Sequence, residues 1–214
     1  MDKDYSNIGR ALVLKYFWKV IRNYKVSFFA VILFTILASA LDVYIPLQYL
    51  KLWNALSENN FSLADTAKYI IIFILILNLL RWAIRRISGF SLAYFEASVM
   101  AGLREQAFSY MIGHSNSFFA NNFGGSLTQK ISKYARAFEK LTDRMVVDGL
   151  PLLVRGVGTI IAIYTLLPKY SLVLTIFCFV FVITAFVYIR YKLKYDVIAS
   201  ECDTKTVGAL ADSV

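Results

Sequence analysis

The feature that most limits the possible folds is the run from Tyr170 to Ile189, which holds twenty residues and no charge. A helix needs about 20 apolar residues to cross the roughly 30 Å hydrocarbon layer of a bilayer. The composition agrees, because 58% of the 214 residues are apolar and only 17% are charged, whereas about a quarter of a soluble domain is charged. We therefore predict an integral membrane protein.

Three further apolar stretches, which start near Val26, Tyr69 and Gly149, are long enough to cross a bilayer, although each holds or borders a polar residue. With the uncharged run they predict four spans, at about 26–53, 66–88, 147–167 and 170–190. The predicted fold class is an all-α membrane protein, in which four long transmembrane helices extend into the cytoplasm and follow an amphipathic interfacial helix. The predicted domains are 1–25 for this elbow helix and 26–214 for the membrane domain.

The positive charges are distributed by membrane side. A formal net charge of +9 would also suit a nucleic-acid-binding protein. However, residues 1–25 hold six Lys or Arg and residues 81–148 hold nine, whereas 51–68 hold two. Positive residues accumulate on the cytoplasmic side of a membrane. We therefore expect both ends and the long middle segment in the cytoplasm, the bacterial plasma (inner) membrane as location, and no nucleic-acid partner.

Helical periodicity organises the cytoplasmic parts. Residues 8–25 place Lys15, Lys19 and Arg22 opposite an apolar face of Leu14, Phe17 and Ile21, which predicts a helix that lies flat on the inner leaflet. No proline occurs from Lys68 to Ser115, so one helix of about 70 Å is predicted, twice the bilayer thickness. It carries a stripe of small residues that would allow a close helix contact: Gly89, Ala93, Ala97 and Ala101.

A further helix is predicted to start at Ser126, because Ser126 and Gln129 form an S-x-x-Q capping pattern. Its apolar residues recur at alternating four- and three-residue spacing, as in the contact face of a helix bundle. This predicted apolar seam consists of Leu127, Ile131, Tyr134, Phe138, Leu141 and Met145. Pro168 and Lys169 predict a tight external turn between the last two spans.

Four polar residues within or beside the spans are candidates for a translocation path, because a polar side chain in lipid is costly. They are Asp42, Gln48, Asn78 and Arg155. The alternative is packing within the bundle, which we favour for Arg81 together with snorkelling to the inner interface. We expect no ion pair between Asp42 and Arg155, because they lie about 24 Å and about 10 Å from the inner ends of their spans at 1.5 Å per residue.

The chemistry of most enzyme classes is missing from the sequence. There is no G-x-x-x-x-G-K-[ST] loop for phosphate. His114, the single histidine, has no second His or Cys at ligand spacing. We therefore predict no catalytic residue, no metal site and no cofactor on this chain.

The segment 115–123 connects two long helical patterns and is unusually aromatic. Phe118, Phe119 and Phe123 would lie tens of ångströms from the bilayer. Exposed aromatic residues in such a place indicate a protein partner. The alternative is a plain connection, since Gly and Asn commonly break helices.

The order LREQAFSYMIGHSNSFFANNFGGSLTQKIS resembles the first intracellular loop of the transmembrane domain of ABC exporters. The resemblance implies that this chain is the N-terminal part of that domain, with the first four membrane helices. It further implies ATP and Mg²⁺ on a nucleotide-binding domain outside the chain, and a second transmembrane half in a homodimer or heterodimer. The implied coupling helix, which contacts the nucleotide-binding domain, consists of Ser117, Phe118, Phe119, Ala120, Asn121 and Asn122.

By this resemblance the chain is not itself an enzyme, whereas the full-length family member is an ATP-hydrolysing translocase. The expected function is to form part of the translocation path and to couple closure of the nucleotide-binding domains to helix rearrangement. The transported substrate is not implied. The alternative is a self-standing four-helix membrane scaffold or accessory subunit without transport activity.

Overall fold

The computed structural model describes residues 10–57, 63–114 and 124–212, and all their regular elements are helical. A single 3-10 turn, Arg22–Tyr24, precedes the second long helix, and a π-helical segment, Asp143–Gly149, joins the fourth to the fifth. The fold class predicted from sequence is confirmed. The α-helices are α1 Arg10–Ile21, α2 Lys25–Ser57, α3 Leu63–Ile112, α4 Gly124–Thr142, α5 Leu150–Leu166 and α6 Pro168–Asp212.

Four helical stretches among the described residues are long and apolar enough to cross a membrane. The longest single helix, α3, has 50 residues and is about 75 Å long at 1.5 Å per residue. The absence of proline from Lys68 to Ser115 therefore predicted its continuity correctly. The four stretches are Leu12–Ser57, Ala67–Ile112, Leu127–Leu166 and Pro168–Lys192.

The described residues form two compact units, one up to Gly158 and one from Thr159 onward. In the first unit, α1, α2, α3 and α4 meet in one hydrophobic core. Aromatic rings form its centre: the ring of Phe138 lies 5.4 Å from that of Phe17 and 6.1 Å from that of Phe95. The buried members of this core are Phe17, Val20, Val31, Phe95, Val99, Leu103 and Phe138.

Helix α1 packs against the core with a face slightly different from the predicted one. Phe17 and Val20 are buried, whereas Leu14, assigned to the apolar face, is 53% exposed. The close approach to α3 depends on Gly102, where a Cβ atom would lie 2.8 Å from Val20 Cγ1. The cationic residues Lys15, Lys19 and Arg22 are exposed, as predicted.

Helices α2 and α3 run antiparallel. The ring of Phe28 lies 5.7 Å from that of Phe95, and further along the pair Thr35 Oγ1 lies 2.9 Å from Ser88 Oγ. The small-residue stripe at Gly89, Ala93, Ala97 and Ala101 is exposed and takes no part in this packing. Among the described residues the stripe forms no contact with α2, because larger side chains on a different face of α3 meet α2, and its use as a close helix contact stays a prediction.

Helix α4 begins at Gly124, so Ser126 lies inside its first turn and not at the capping position predicted for it. The predicted seam is correct as far as Phe138 but fails beyond it. Leu141 is 41% and Met145 64% exposed, while Thr142 is buried. The facing residue therefore shifts by one position just before the π-helical segment.

In the second unit, the turn between α5 and α6 is a single residue. The backbone N–H of Leu167 donates to the carbonyl of Ile163 at 2.7 Å, which closes the last turn of α5. Pro168 then opens α6, where its missing N–H would have had no helical partner. The tight turn predicted at Pro168 and Lys169 is thus present, one residue earlier.

Candidate functional site

Polar side chains cluster where α2 meets α3. Asp42 accepts a hydrogen bond from Arg81 Nη1 at 3.2 Å and another from Arg85 Nη2 at 2.8 Å. Its side chain is only 13% exposed, whereas that of Arg85 is 63% exposed. One carboxylate therefore serves two guanidinium groups. We call the set formed by Thr35, Ser39 and Asp42 on α2 and Asn78, Arg81, Arg85 and Ser88 on α3 the polar ladder.

The hydroxyl groups of the ladder are bonded within the helix pair. Besides the contact between Thr35 and Ser88, Ser39 Oγ donates to the carbonyl of Thr35 at 2.7 Å. Pro46, four residues after Asp42, lies inside α2. Because proline has no N–H, the backbone carbonyl of Asp42 lacks its helical donor. Asp42 thus has both a backbone carbonyl without a helical donor and a charged side chain.

Two of the four predicted path residues belong to the ladder. Asn78 Oδ1 accepts from Arg81 Nη2 at 3.0 Å, and Asn78 Nδ2 donates to the carbonyl of Ile74 at 2.8 Å. Asn78 therefore positions Arg81 against Asp42. Arg81, for which we favoured packing or snorkelling, instead reaches across the helix pair.

Gln48 lies apart from the ladder, further along α2. It is only 4% exposed, and its Nε2 atom has no acceptor among the described residues. A buried amide without a partner costs about 1–3 kcal/mol. The structure therefore places Gln48 in the helix packing and gives it no role in the polar cluster.

Arg155 lies in a cleft of about 260 Å³ between α2, α3 and the start of α5. Its Nε atom donates to the carbonyl of Pro151 at 3.1 Å, and no carboxylate of the described residues pairs with it. We call this space the arginine cleft. It is lined by Thr35, Ala38, Ser39, Arg85, Ser88, Gly89, Leu92, Val146, Val147, Pro151 and Arg155.

The structure corrects the depth comparison between Asp42 and Arg155. That comparison assumed that Val26 and Val147, the inner ends of two predicted spans, lie at one level. However, Val147 lines the cleft beside Thr35 and Ser39, and a Cβ on Gly158 would lie 3.0 Å from Val43 Cγ2. Arg155 is therefore within about one helical turn, roughly 5 Å, of the level of Asp42. The expected absence of their ion pair holds for another reason, since Asp42 is already bonded to Arg81 and Arg85.

Arg85 is the main site residue that the sequence analysis missed. The spacing of Asn78, Arg81, Arg85 and Ser88 puts four polar residues on one helical face. Only the pairing of α3 with α2, which places Thr35 and Asp42 opposite this face, identifies it as a site. The helical spacing of these four polar residues is the signal for this face in the sequence.

A carboxyl group stands at the level of the elbow helix, beyond the predicted span 66–88. Glu96 follows Phe95 of the hydrophobic core, and its Oε1 atom is buried without a partner among the described residues. Burial, with repulsion from Asp143 and Glu139, raises the pKa of Glu96 to about 7. This group therefore titrates near neutral pH at the contact between α3 and the helix that follows the loop.

The predicted coupling helix, Ser117 to Asn122, and Phe123 lie outside the described residues. The helices on both sides of it are described, and they meet through Phe95 and Phe138. From this contact α3 continues for about 26 Å to Ile112, and α4 reaches back about 21 Å to Gly124, at 1.5 Å per residue. The parts of α3 and α4 beyond this contact form two helical arms that lead to the ends of the described residues on either side of the loop.

The sequence matches the family model of the ABC transporter transmembrane region over residues 28–201. This match includes α2, α3, α4 and α5 and most of α6. The chain belongs to this family. Among curated proteins no match is found. Within this ABC transmembrane domain, the polar ladder and the arginine cleft lie where α2 meets α3 and the start of α5, and the two arms extend toward the predicted coupling helix.

No group of three or more His, Cys, Asp or Glu side chains in the described ranges could hold a metal ion. The side chains of the ladder are guanidinium, amide and hydroxyl groups around one carboxylate, which is a set for binding anions and not cations. The ABC transmembrane domain therefore offers binding and positioning chemistry at this place.

Proposed function

We propose that this chain is part of the membrane-spanning domain of an ATP-driven ABC exporter in a bacterial plasma membrane, with both ends cytoplasmic. It forms part of the translocation path, and it passes closure of a nucleotide-binding domain to the membrane helices. The working unit includes that domain and a second transmembrane half, either a second copy or a different chain. ATP and Mg²⁺ would be held by the nucleotide-binding domain, since this sequence has no phosphate-cradling loop.

The observation that carries the proposal is the continuity of α3. One unbroken helix of 50 residues holds Arg81 and Arg85 against Asp42 and also ends at Ile112, where the predicted coupling helix follows. About 50 Å separate Asn78 from Ile112 at 1.5 Å per residue. Because a helix transmits displacement along its axis, movement of the loop is expected to reach the polar ladder.

The helical stretch after the loop provides a second connection between the loop and the membrane helices. From Gly124 to Leu166 the chain is helical without interruption, through α4, the π-helical segment and α5. Its contact with α3 at Phe95 and Phe138 ties the arms together below the loop. A partner domain that grips the loop would therefore move α3 and α5 together, and both line the arginine cleft.

The test replaces Phe118 and Phe119 by Asp in the full-length protein. Loss of two buried aromatic anchors typically weakens an interface by about 2 kcal/mol or more each. We expect substrate-stimulated ATP hydrolysis and transport in proteoliposomes to fall at least about tenfold. Phe108→Asp is the matched control, because Phe108 is an exposed phenylalanine on the same arm but outside the loop.

Unchanged transport and stimulation in the Phe118→Asp, Phe119→Asp variant would refute the coupling assignment. If the protein together with a nucleotide-binding domain shows no ATP-dependent transport at all, the scaffold alternative replaces the exporter proposal.

A further inference from the structure

We propose that the arginine cleft binds the anionic head group, a phosphate or a carboxylate, of an amphiphile whose apolar tail lies along the neighbouring helices. The proposal deepens the proposed function, on which it rests, because it assigns a substrate class to the translocation path. Neither the family match nor the resemblance to exporters specifies a charge for the ligand.

The charge balance around the cleft is the first argument. Arg81, Arg85 and Arg155 contribute three positive charges, and Asp42 is the one carboxylate bonded to any of them among the described residues. Asp148, the acid nearest to Arg155 in the sequence, is bonded to Arg144 at 3.1 Å. Two positive charges are therefore left without a counter-ion, and the side chains of Arg85 and Arg155 are exposed, so that a ligand can reach them. A bound anion supplies that counter-ion.

The geometry of the donors is the second argument. Arg85 and Arg155 both line the cleft, and Arg155 uses only its Nε atom in the hydrogen bond to the backbone of Pro151. Its two terminal nitrogen atoms remain available as a fork. Guanidinium groups bind carboxylate and phosphate oxygens through such paired donors, which suits an oxyanion better than a halide or a neutral amide.

The size and lining of the cleft define the rest of the ligand. A volume of about 260 Å³ is below the roughly 300–1,000 Å³ that holds a complete drug-sized molecule. It is sufficient for a head group. Leu92, Val146 and Val147 form apolar walls beside the arginines, so an alkyl tail leaving the cleft meets apolar surface.

The cleft also has room at one defined point. A Cβ atom added to Gly89 would meet nothing within 4 Å, although Gly89 lines the cleft. A larger side chain at this position adds bulk at the lining of the cleft without disturbing a helix contact. A substitution of Gly89 therefore tests the site by side-chain size alone, separately from substitutions that change its charge.

The experiment measures equilibrium binding of radiolabelled hexadecyl phosphate to the full-length protein in phosphatidylcholine nanodiscs without ATP. Hexadecanol is the neutral probe of equal tail length. We expect hexadecyl phosphate to bind at least about tenfold more tightly than hexadecanol, and Arg155→Gln to weaken it at least about tenfold, as for loss of a charge-assisted hydrogen bond. Gly89→Leu should weaken binding of hexadecyl phosphate comparably with all charges retained.

Arg86→Gln is the control for charge alone. Arg86 neighbours Arg85 on α3, but its guanidinium lies over the ring of Trp82, 5.8 Å from the centroid, and outside the cleft. We expect the affinity of Arg86→Gln for hexadecyl phosphate to stay within about twofold of that of the parent protein, as for a screened surface charge. Equal affinity for the phosphate and the alcohol would overturn the proposal. So would equal affinity of Arg155→Gln and the parent protein.

Two further measurements distinguish the possible sources of the anion. If the occupant is a membrane phospholipid, phosphatidylglycerol in the nanodisc displaces the probe, and native mass spectrometry detects a retained phosphatidylglycerol that Arg155→Gln loses. If it is a transported amphiphile, phosphatidylglycerol leaves probe binding unchanged and ATP-driven transport of the probe falls in Arg155→Gln. Either result supports the anion site.

Because binding is measured without ATP, the site and the exporter proposal fail separately. Equal binding of hexadecyl phosphate and hexadecanol by a protein that shows ATP-driven transport of another cargo would refute the site alone. Selective anion binding without any ATP-driven transport would refute the exporter proposal and leave the site in place.

Discussion

At the scale of single residues, Asp42 is the position on which the polar ladder depends. It is the most buried member of its ion pairs and bonds both Arg81 and Arg85. The two arginines are partly exposed and can reach water or a ligand, whereas Asp42 has no such freedom. Removing the carboxylate therefore leaves more charge unpaired than removing either arginine.

We predict that Asp42→Asn lowers the free energy of unfolding by about 1–3 kcal/mol, less than the 3–5 kcal/mol or so of a fully buried pair. Arg85→Gln should cost less, because Arg81 still bonds Asp42. Thermal unfolding of the parent protein, Asp42→Asn and Arg85→Gln in the same detergent gives the order of their stabilities. A larger loss for Arg85→Gln than for Asp42→Asn would show that the carboxylate is not the centre of the ladder.

At the scale of elements, the π-helical segment between α4 and α5 decides which residues face the core. The backbone N–H of Leu150 donates to the carbonyl of Met145, five residues back, so this turn holds an extra residue. Pro151 follows directly, and its ring would clash with the carbonyl four residues earlier in a regular helix. The wider turn relieves that conflict, and Met145, which lies within it, is turned away from the core.

We predict that Phe138→Ala lowers the free energy of unfolding by about 3–5 kcal/mol, as for a large buried aromatic residue. Leu141→Ala should change it by less than about 1 kcal/mol, because Leu141 is largely outside the core. Melting temperatures in detergent compare the two directly. Similar losses would mean that the regular seam predicted from sequence persists in solution.

The same elements show what the sequence could and could not predict. Apolar length predicted the four long helices, because crossing a bilayer imposes a minimum run that no other structure requires. Periodicity identified Phe138 but not the shift after it, since a π-helical turn leaves no periodic trace. Asp42, Asn78 and Arg155 were predicted as separate polar residues and Arg85 was missed, because Asp42 and Arg85 are 43 positions apart and only the pairing of α2 with α3 brings them together.

At the scale of the whole molecule, both units present apolar side chains on their outside. In the first unit Trp82 and Phe90 on α3 are exposed, and in the second Phe177 and Phe186 on α6 are exposed. Soluble monomers rarely expose continuous apolar surface of this extent. With the family match, this surface identifies an integral membrane protein.

We predict the orientation from the distribution of positive charge. In a Cys178→Ala, Cys202→Ala background, Lys169→Cys should react with a membrane-impermeant maleimide added to intact cells, whereas Glu105→Cys should react only after permeabilisation. Both positions are exposed in the structure, so access depends on the side of the membrane. The opposite labelling pattern would reverse the orientation and place the loop outside the cell.

The contact of α1 with the hydrophobic core also constrains how the chain is made. Phe17 leaves the ribosome long before its partners, because Phe138, whose ring it contacts, is encoded about 120 residues later. At roughly 5–20 residues per second this delay is about 6–24 s. During that time the core that covers the apolar face of α1 is incomplete. An amphipathic helix with cations on its other side can meanwhile bind the inner leaflet. The cationic face of α1 therefore serves the nascent chain before Gly102 and Val20 meet.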